Sequence, residues 1–364
     1  MTLALFFLCV GIFMFGLITW LSPMLAWFFS SFQKLGNETS AANATGLLSL
    51  DILIPAHNEN ESLPATLAAM KKLKHDGFTQ PKLTVGLSNW SGAEAIKASE
   101  LADQTIVINE PGKWRALIVL IENSKADWVA LVDAGTVWPE DMLVQLKKHF
   151  KDPAVMGINP KYTELDSGFM QRLVWGLESH LKNIENLSGG PISLHGSTIL
   201  YRRKELLEVI TFLKGNDWWN DDVVVPLTLR KFNKGKKIIY AVNIPVVDLF
   251  PSSNISEMKR RKRLLFGNLQ WVQTFFVGLL KTDAVLCSLA LRRITRMLWA
   301  WAISFVCVGL ILSQPNLAYV FAGVGVTLAV MPKGRRLYEA FLVSMMMPIY
   351  FVFHKSDLGK VSWK

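Results

Sequence analysis

Hydrophobic and polar positions alternate on three different scales along this chain. From Leu3 to Phe29 the residues are almost uniformly apolar and uncharged, a run long enough for the ~30 Å bilayer core, which takes about 20 helical residues. No Lys or Arg precedes Lys34, so the run predicts an uncleaved membrane anchor, not a cleaved signal. Between Leu50 and Val132 the scale shortens. Apolar runs of strand length, Leu50 to Ile54, Leu83 to Leu87, Thr105 to Ile108 and Trp128 to Val132, alternate with helical spacing. The helical stretches are Glu61 to Lys74, where Leu63, Leu67, Met70 and Leu73 share a face, Ala93 to Ala102, and the stretch after Gly112. Strand and helix in this alternation predict a mainly parallel sheet wound with helices. Gln270 to Leu280 has the aromatic, weakly charged look of a helix lying in a membrane interface, with Trp271 at the boundary. Three apolar runs follow, Met297 to Ser313, Leu317 to Met331 and Leu337 to Phe353.

Composition locates the charge. The chain has 364 residues, enough for about two domains, and its net charge is +10. Much of the excess lies in Lys259 to Arg263, Arg292 to Arg296 and Lys333 to Arg336, each beside an apolar run. That placement indicates a membrane surface and excludes a nucleic-acid module, of which no pattern is present. The basic segments then belong on the cytoplasmic side. Cys9, Cys287 and Cys307 are far apart, which suits neither a disulfide framework nor a metal cluster.

Candidate chemistry begins where the apolar strand 128–132 stops at Asp133. Gly135 supplies a turn, and Pro139 with Glu140 and Asp141 starts a helix. Ligands of open α/β sheets bind outside the carboxyl ends of strands, so Asp133 is placed either to hold a divalent cation or to cap a turn. Pro55-Ala56-His57-Asn58-Glu59 offers either hydrogen-bonding groups at a strand end or a helix entry. Asp221 and Asp222, after Trp218 and Trp219, are either a catalytic pair or first-turn acids.

Taken in order, Pro55 to Glu59, Gly112-Lys113, Asp133-Ala-Gly-Thr with Pro139, Glu178, Asp221-Asp222 and Arg260-Arg-Lys-Arg263 resemble the family 2 glycosyltransferases over roughly residues 48–275. The resemblance implies a GT-A nucleotide-sugar-binding domain, α/β with a mixed, mostly parallel sheet, together with transmembrane helices. It divides the chain into an anchor (1–31), a cytoplasmic GT-A domain (48–255), a basic and interfacial segment (256–292) and C-terminal transmembrane helices (293–354), in a plasma or inner membrane. It also implies inverting transfer from a nucleotide-diphosphate sugar, a UDP-sugar by preference, to a lipid or glycan acceptor at the membrane. Asp222 matches the base, with Asp221 the alternative, and Asp133 matches the ligand of Mg2+ or Mn2+. Arg263 matches the Arg that grips the leaving diphosphate, and Arg260, which stands in place of the family's Gln, and Arg261 would add charge beside it. Pro55, Asn58, Glu59, Asn89, Lys113, Glu178 and His195 match substrate-binding positions.

The chain departs from the pattern in three places. Ser88-Asn89 stands where an Asp is usual, Gly135 replaces a second metal carboxylate in the manner of chitin synthases, and Leu264 replaces the Trp that stacks on the acceptor in processive synthases. Single transfer is therefore the first expectation. A processive polysaccharide synthase, or a silent nucleotide- or glycan-binding subunit of an export complex, stands as the alternative.

Overall fold

The computed structural model describes residues 2–32, 46–57, 59, 61–88, 100–110, 112–165, 168–249 and 257–353. The chain forms two compact units, one of Phe29–Ser252 and one of Met1–Phe28 with Ser253–Ser362.

The first unit is built on an eight-stranded sheet. Its strands are β1 (Leu50–Ala56), β2 (Lys82–Leu87), β3 (Gln104–Val107), β4 (Trp128–Val132), β5 (Thr136–Val137), β6 (Val155–Glu164), β7 (Thr198–Arg202) and β8 (Lys237–Asp248), in the order β3-β2-β1-β4-β7-β6-β8-β5. Strands β1 to β4 pair in parallel, and β6 pairs in parallel with β8. The pairs β4–β7, β6–β7 and β5–β8 are antiparallel. The sheet is thus mixed, and parallel over the stretch that alternates strand with helix in the sequence. Ala93 to Ala102 lies mostly outside the described residues.

Every residue of β4 is buried, as the continuous apolar run requires of a strand covered on both faces. Leu50, Ile52 and Ile54 of β1, Val85 of β2, and Trp128, Ala130 and Val132 of β4 share one core with Leu63 and Leu67, and with Leu143, Leu146 and Phe150. Each such aliphatic side chain contributes about 1.5–3 kcal/mol on burial.

The strand does not break at Pro55, as the sequence suggests, but runs to Ala56. Pairing with β4 ends at Leu53↔Leu131, and from there only β2 accompanies β1, through Pro55↔Gly86. A residue without an N–H is tolerated where one neighbour has already departed.

In the second unit the expected unbroken run from Leu3 to Phe29 is two helices, Thr2–Ile18 and Leu21–Phe32, bent by 59°. Thr19 Oγ1 donates to the carbonyl of Phe15 at 2.8 Å and Ser22 Oγ to that of Leu17 at 2.8 Å. Hydroxyls bonding back to the preceding turn favour such a bend. Ala284–Arg296 and Trp299–Ser313 form a second bent pair, at 69°. Helices Leu317–Val330 and Pro332–Phe353 follow, the former only about 21 Å long at 1.5 Å per residue. Among the described residues no single helix is long and apolar enough to cross a membrane, whereas each bent pair is when taken together.

Helix Thr2–Ile18 packs on Trp299–Ser313 through glycine. A Cβ on Gly309 would lie 2.6 Å from Leu8 Cγ and 2.9 Å from Leu8 N, so this approach of backbones admits only glycine. The expected interfacial helix 270–280 is broken by a π-helical turn, Val272–Phe276. Trp271 is fully buried and donates to Asn268 Oδ1 at 3.0 Å, which corrects its placement at a membrane boundary.

Candidate active site

Because β1, β2 and β4 run parallel, their carboxyl ends share one edge of the sheet. At the end of β4 the Asp133 amide donates to the Ser197 carbonyl at 3.0 Å, continuing the antiparallel pairing of β4 with β7. Gly135 then takes φ +95°, and its amide donates to the buried Thr66 Oγ1 at 2.8 Å. Gly135 therefore serves a left-handed turn that side-chain-bearing residues adopt only at a cost.

Asp221 and Asp222 open the helix Asp221–Phe232, where the dipole favours acids. Proline inside a helix removes the N–H that would bond four residues back. Pro226 so releases the carbonyl of Asp222, and the Leu194 amide donates to it at 2.9 Å. The same bond draws the loop 189–197 onto the acid pair. That loop is held from the other side by Asn159, which is fully buried. Its Oδ1 accepts from the His195 amide at 3.0 Å, and its Nδ2 donates to the carbonyls of His195 at 3.1 Å and Thr198 at 2.7 Å. Nothing in the sequence singles Asn159 out.

The loop delivers Gly196 to a meeting point. A Cβ placed on Gly196 would be 3.8 Å from Lys113 Nζ, 4.0 Å from Asp133 Oδ2 and 4.0 Å from Asp222 Cβ. Lys113 starts the helix Lys113–Asn123 and donates to Asp133 Oδ1 at 2.6 Å. One ammonium thus faces several carboxylates. Burial lowers the Lys113 pKa, but Asp133, Asp221 and Asp222 together raise it well above the ordinary lysine value. The Asp221 carboxyl is pushed up to about 6 by burial and by the charges of Asp222 and Asp133, against the opposing pull of Lys113.

A carboxyl whose pKa is raised on folding binds its proton more tightly in the folded state. Its contribution to stability is complete below about pH 4, the unfolded value, and is lost as pH rises through about 6. Asp221→Asn, neutral and isosteric, is accordingly expected to raise Tm by a few degrees at pH 8 and to leave it unchanged at pH 4. Thermal unfolding at the two pH values checks this.

The remaining expected residues fall as follows. Pro55 lies in β1. Glu59 Oε2 accepts from Ser62 Oγ at 2.7 Å and its carbonyl from the Leu63 amide at 3.0 Å, so it organises the helix entry at Ser62. His57 Nδ1 lies 3.2 Å from Ser88 Oγ, linking the ends of β1 and β2. His195 stacks on Tyr162 with ring centres 3.5 Å apart, and Trp175 stands edge-on to both. Its Nδ1 is 3.1 Å from Ser197 Oγ. Glu178 is buried on the inner face of helix Phe169–Glu185 with Ser179, Lys182 and Glu185, near the Tyr240 phenol. Asn58 and Asn89 lie outside the described residues, as do the side chains of Arg260 and Arg261. Arg263 is half-buried on helix Glu257–Trp271 of the second unit. Sequence reasoning missed Arg115, which makes a two-point contact with Asp217 at 2.8 Å for each bond and reaches Glu110 at 2.9 Å. It ties the Lys113 helix to the loop leading into Asp221.

Comparison with known proteins adds four observations. The model of glycosyl transferase family group 2 matches residues 128–353. The poly-beta-1,6-N-acetyl-D-glucosamine synthase of Staphylococcus aureus is 24% identical over 280 residues, 73% of this chain and 66% of that protein, so the chain spans just under two thirds of the length of the curated relatives it matches. An N-acetylglucosaminyltransferase of Rhizobium leguminosarum bv. trifolii is 25% identical over 134 residues, 34% of this chain and 74% of that protein. Among solved structures, a mannosyltransferase from Pyrobaculum calidifontis in complex with GDP-Man and Mn2+ superposes with a TM-score of 0.67, covering 96% of this chain and 99% of that one at 16% identity. That likeness makes the fold GT-A-like.

Proposed function

Since the chain belongs to glycosyl transferase family group 2, we propose that it moves a sugar from a nucleotide-diphosphate donor to a lipid or glycan acceptor at a membrane, with inversion at the anomeric carbon. The observation that carries this reading is the convergence of Lys113, Asp133 and Asp222 on Gly196. In-line displacement needs a carboxylate to take the proton of the acceptor hydroxyl and a cation beside the departing diphosphate. Asp222 supplies the first. Its oxygen receives the proton as the acceptor oxygen bonds to the anomeric carbon, and the bond to the diphosphate breaks with its electron pair leaving on the phosphate. Attack opposite the leaving group inverts the centre. Lys113 supplies charge compensation and holds Asp133 in place.

A divalent cation fits this arrangement as a group shared with substrate. Among the described residues no three His, Cys, Asp or Glu side chains group to hold a metal alone. Asp133 is 42% exposed, however, and Lys113 takes only its Oδ1. Mg2+ commonly takes one or two protein carboxylates and completes its shell with water and phosphate. Asp133 Oδ2 would hold the cation, which when bound supplies further neutralisation of the diphosphate. The Mn2+ and GDP-Man of the Pyrobaculum structure support a donor and cation of this kind; a UDP-sugar remains the donor favoured by the resemblance.

The N-terminal bent pair and the exposed apolar residues Leu5, Phe6, Phe13 and Trp27 support membrane attachment. The basic segments 259–263 and 333–336 then face the cytoplasm. Processive synthesis is the second reading, favoured by the staphylococcal relative and opposed by Leu264. Transfer of labelled sugar from UDP- and GDP-sugars into native membrane lipid tests the proposal, and the length of the product separates the two readings. Gly196→Val tests the convergence itself. It places two methyl groups among the three side chains, and is expected to lower transfer about 100-fold, the effect of a misplacement of about 1 Å. The added Cβ itself meets only contacts of 3.8–4.0 Å, so the variant is expected to fold, which circular dichroism checks.

A further inference from the structure

Beside the acid pair lies a cavity that the chemistry above does not use. It measures about 10 Å3, and Trp114, Tyr201, Asp221 and Val225 border it together with apolar residues such as Leu117 and Ile210. Two of the lining residues carry a polar atom without a partner. The Trp114 indole Nε1 and the Tyr201 phenol oxygen are both buried and neither has a hydrogen-bond partner. Tyr201 is 0% exposed and Trp114 5%. Buried donors without partners are rare in native proteins, because each forfeits its bonds to solvent. Two of them on one cavity, beside a carboxylate residue, share a single explanation. The volume is that of one water molecule, which needs roughly 10–15 Å3 and two to four polar partners. Burial together with the Asp221 and Asp222 charges also raises the Tyr201 pKa, which places that phenol within the field of the acids.

From this geometry we infer that one buried water occupies the cavity, accepting from Trp114 Nε1–H and Tyr201 O–H and donating to the Asp221 carboxyl, and that Trp114 and Tyr201 are positioning residues for the acid pair. The three partners come from the three elements that build the site. Trp114 follows Lys113 on helix Lys113–Asn123, Tyr201 pairs with Val129 in the β4–β7 ladder, and Asp221 begins the helix that carries Asp222. A water bonded to all three fixes the first turn of that helix against the sheet, and so fixes the direction of Asp222. A water that accepts from both donors has its own hydrogens left for the carboxylate.

The inference rests on the transferase reading for its kinetic part alone. Tyr201→Phe removes one donor and leaves the ring. It is expected to lower kcat about tenfold, as for one hydrogen bond to a charged group, with the donor KM unchanged. Val225→Ile is the decisive companion. Val225 stands one helical turn after Asp221 and lines the cavity, so the added methyl displaces the water while Trp114 and Tyr201 remain. Its kcat should fall as in Tyr201→Phe, and its Tm should fall by several degrees as well, because Trp114 and Tyr201 stay buried and lose their common acceptor. A Val225→Ile enzyme with wild-type kcat overturns the inference, because packing alone would then account for the cavity. A crystal structure of the full chain in which waters are visible gives the direct reading. A single water within hydrogen-bonding distance of all three groups supports the inference, and a cavity without density, or one whose water misses Asp221, overturns it. If no variant and no wild-type preparation turns over a donor, the transferase reading fails, while the density still decides the question of the water.

Discussion

Asp222→Asn is expected to lower kcat for sugar transfer by about 10²–10⁴-fold, the usual contribution of a positioned general base, with the donor KM little changed. The substitution keeps the shape of the side chain. It also keeps the backbone bond from Leu194 to the Asp222 carbonyl, so the loop bearing Gly196 stays in place. Only the acceptor of the proton is lost. Asp222 is one of the charges that raise the Asp221 carboxyl, and without it Asp221 titrates below about 6. Asp221→Asn, by contrast, leaves the base and keeps an oxygen that accepts from the buried water, so its main effect is on stability. Kinetics of the two variants, with circular dichroism to confirm folding, measure the difference. Equal losses would place the base on neither residue specifically.

Lys113→Met has the second large effect. It removes the ammonium bonded to Asp133 at 2.6 Å from a cluster of carboxylates. The donor KM is expected to rise and kcat to fall, for a combined loss of about 10²–10³-fold in kcat/KM, the scale of one well-placed electrostatic group at a leaving anion. Without Lys113 the Asp221 carboxyl rises further above its present value, because the lysine is the charge that lowers it. Lys113→Arg restores the charge on a longer, planar group and should recover part of the donor affinity. Steady-state kinetics over donor concentration, run for both variants, separate charge from geometry.

The parallel half of the sheet was legible because its strands are unbroken apolar runs ended by turn residues. Trp128 to Val132 is observed over the same five residues, with Asp133 at its end. The antiparallel half was harder to see. β5 has two residues, and β8 follows β6 with two register shifts, so neither carries a clean period. The bend at Thr19 is hidden in an apolar run, because two hydroxyls that bond backward leave no mark on hydropathy. Trp271 looked like a boundary residue because sequence cannot tell a partnered indole in a core from one at an interface. At the site, Asp133, Lys113 and Asp222 were legible as types at strand and helix ends, and the structure brings them within reach of one glycine. Asn159 was not, since a buried amide that bonds only to backbone has no sequence signature. Gly135, legible in the sequence both as a turn residue and as the place of a lost metal carboxylate, takes φ +95°, as the turn requires.

Nucleotide release by the purified full chain in lipid is the most direct test of glycosyl transfer by this site. UDP- and GDP-sugars are supplied with Mn2+ or Mg2+ and native membrane lipid as acceptor, for wild type and Asp222→Asn, with and without chelator. Transfer by this site gives nucleotide release by wild type from one donor, lost in Asp222→Asn and on chelation. Nucleotide binding without release from any donor would contradict it, and would make the chain a silent subunit that binds a nucleotide or glycan without transferring sugar.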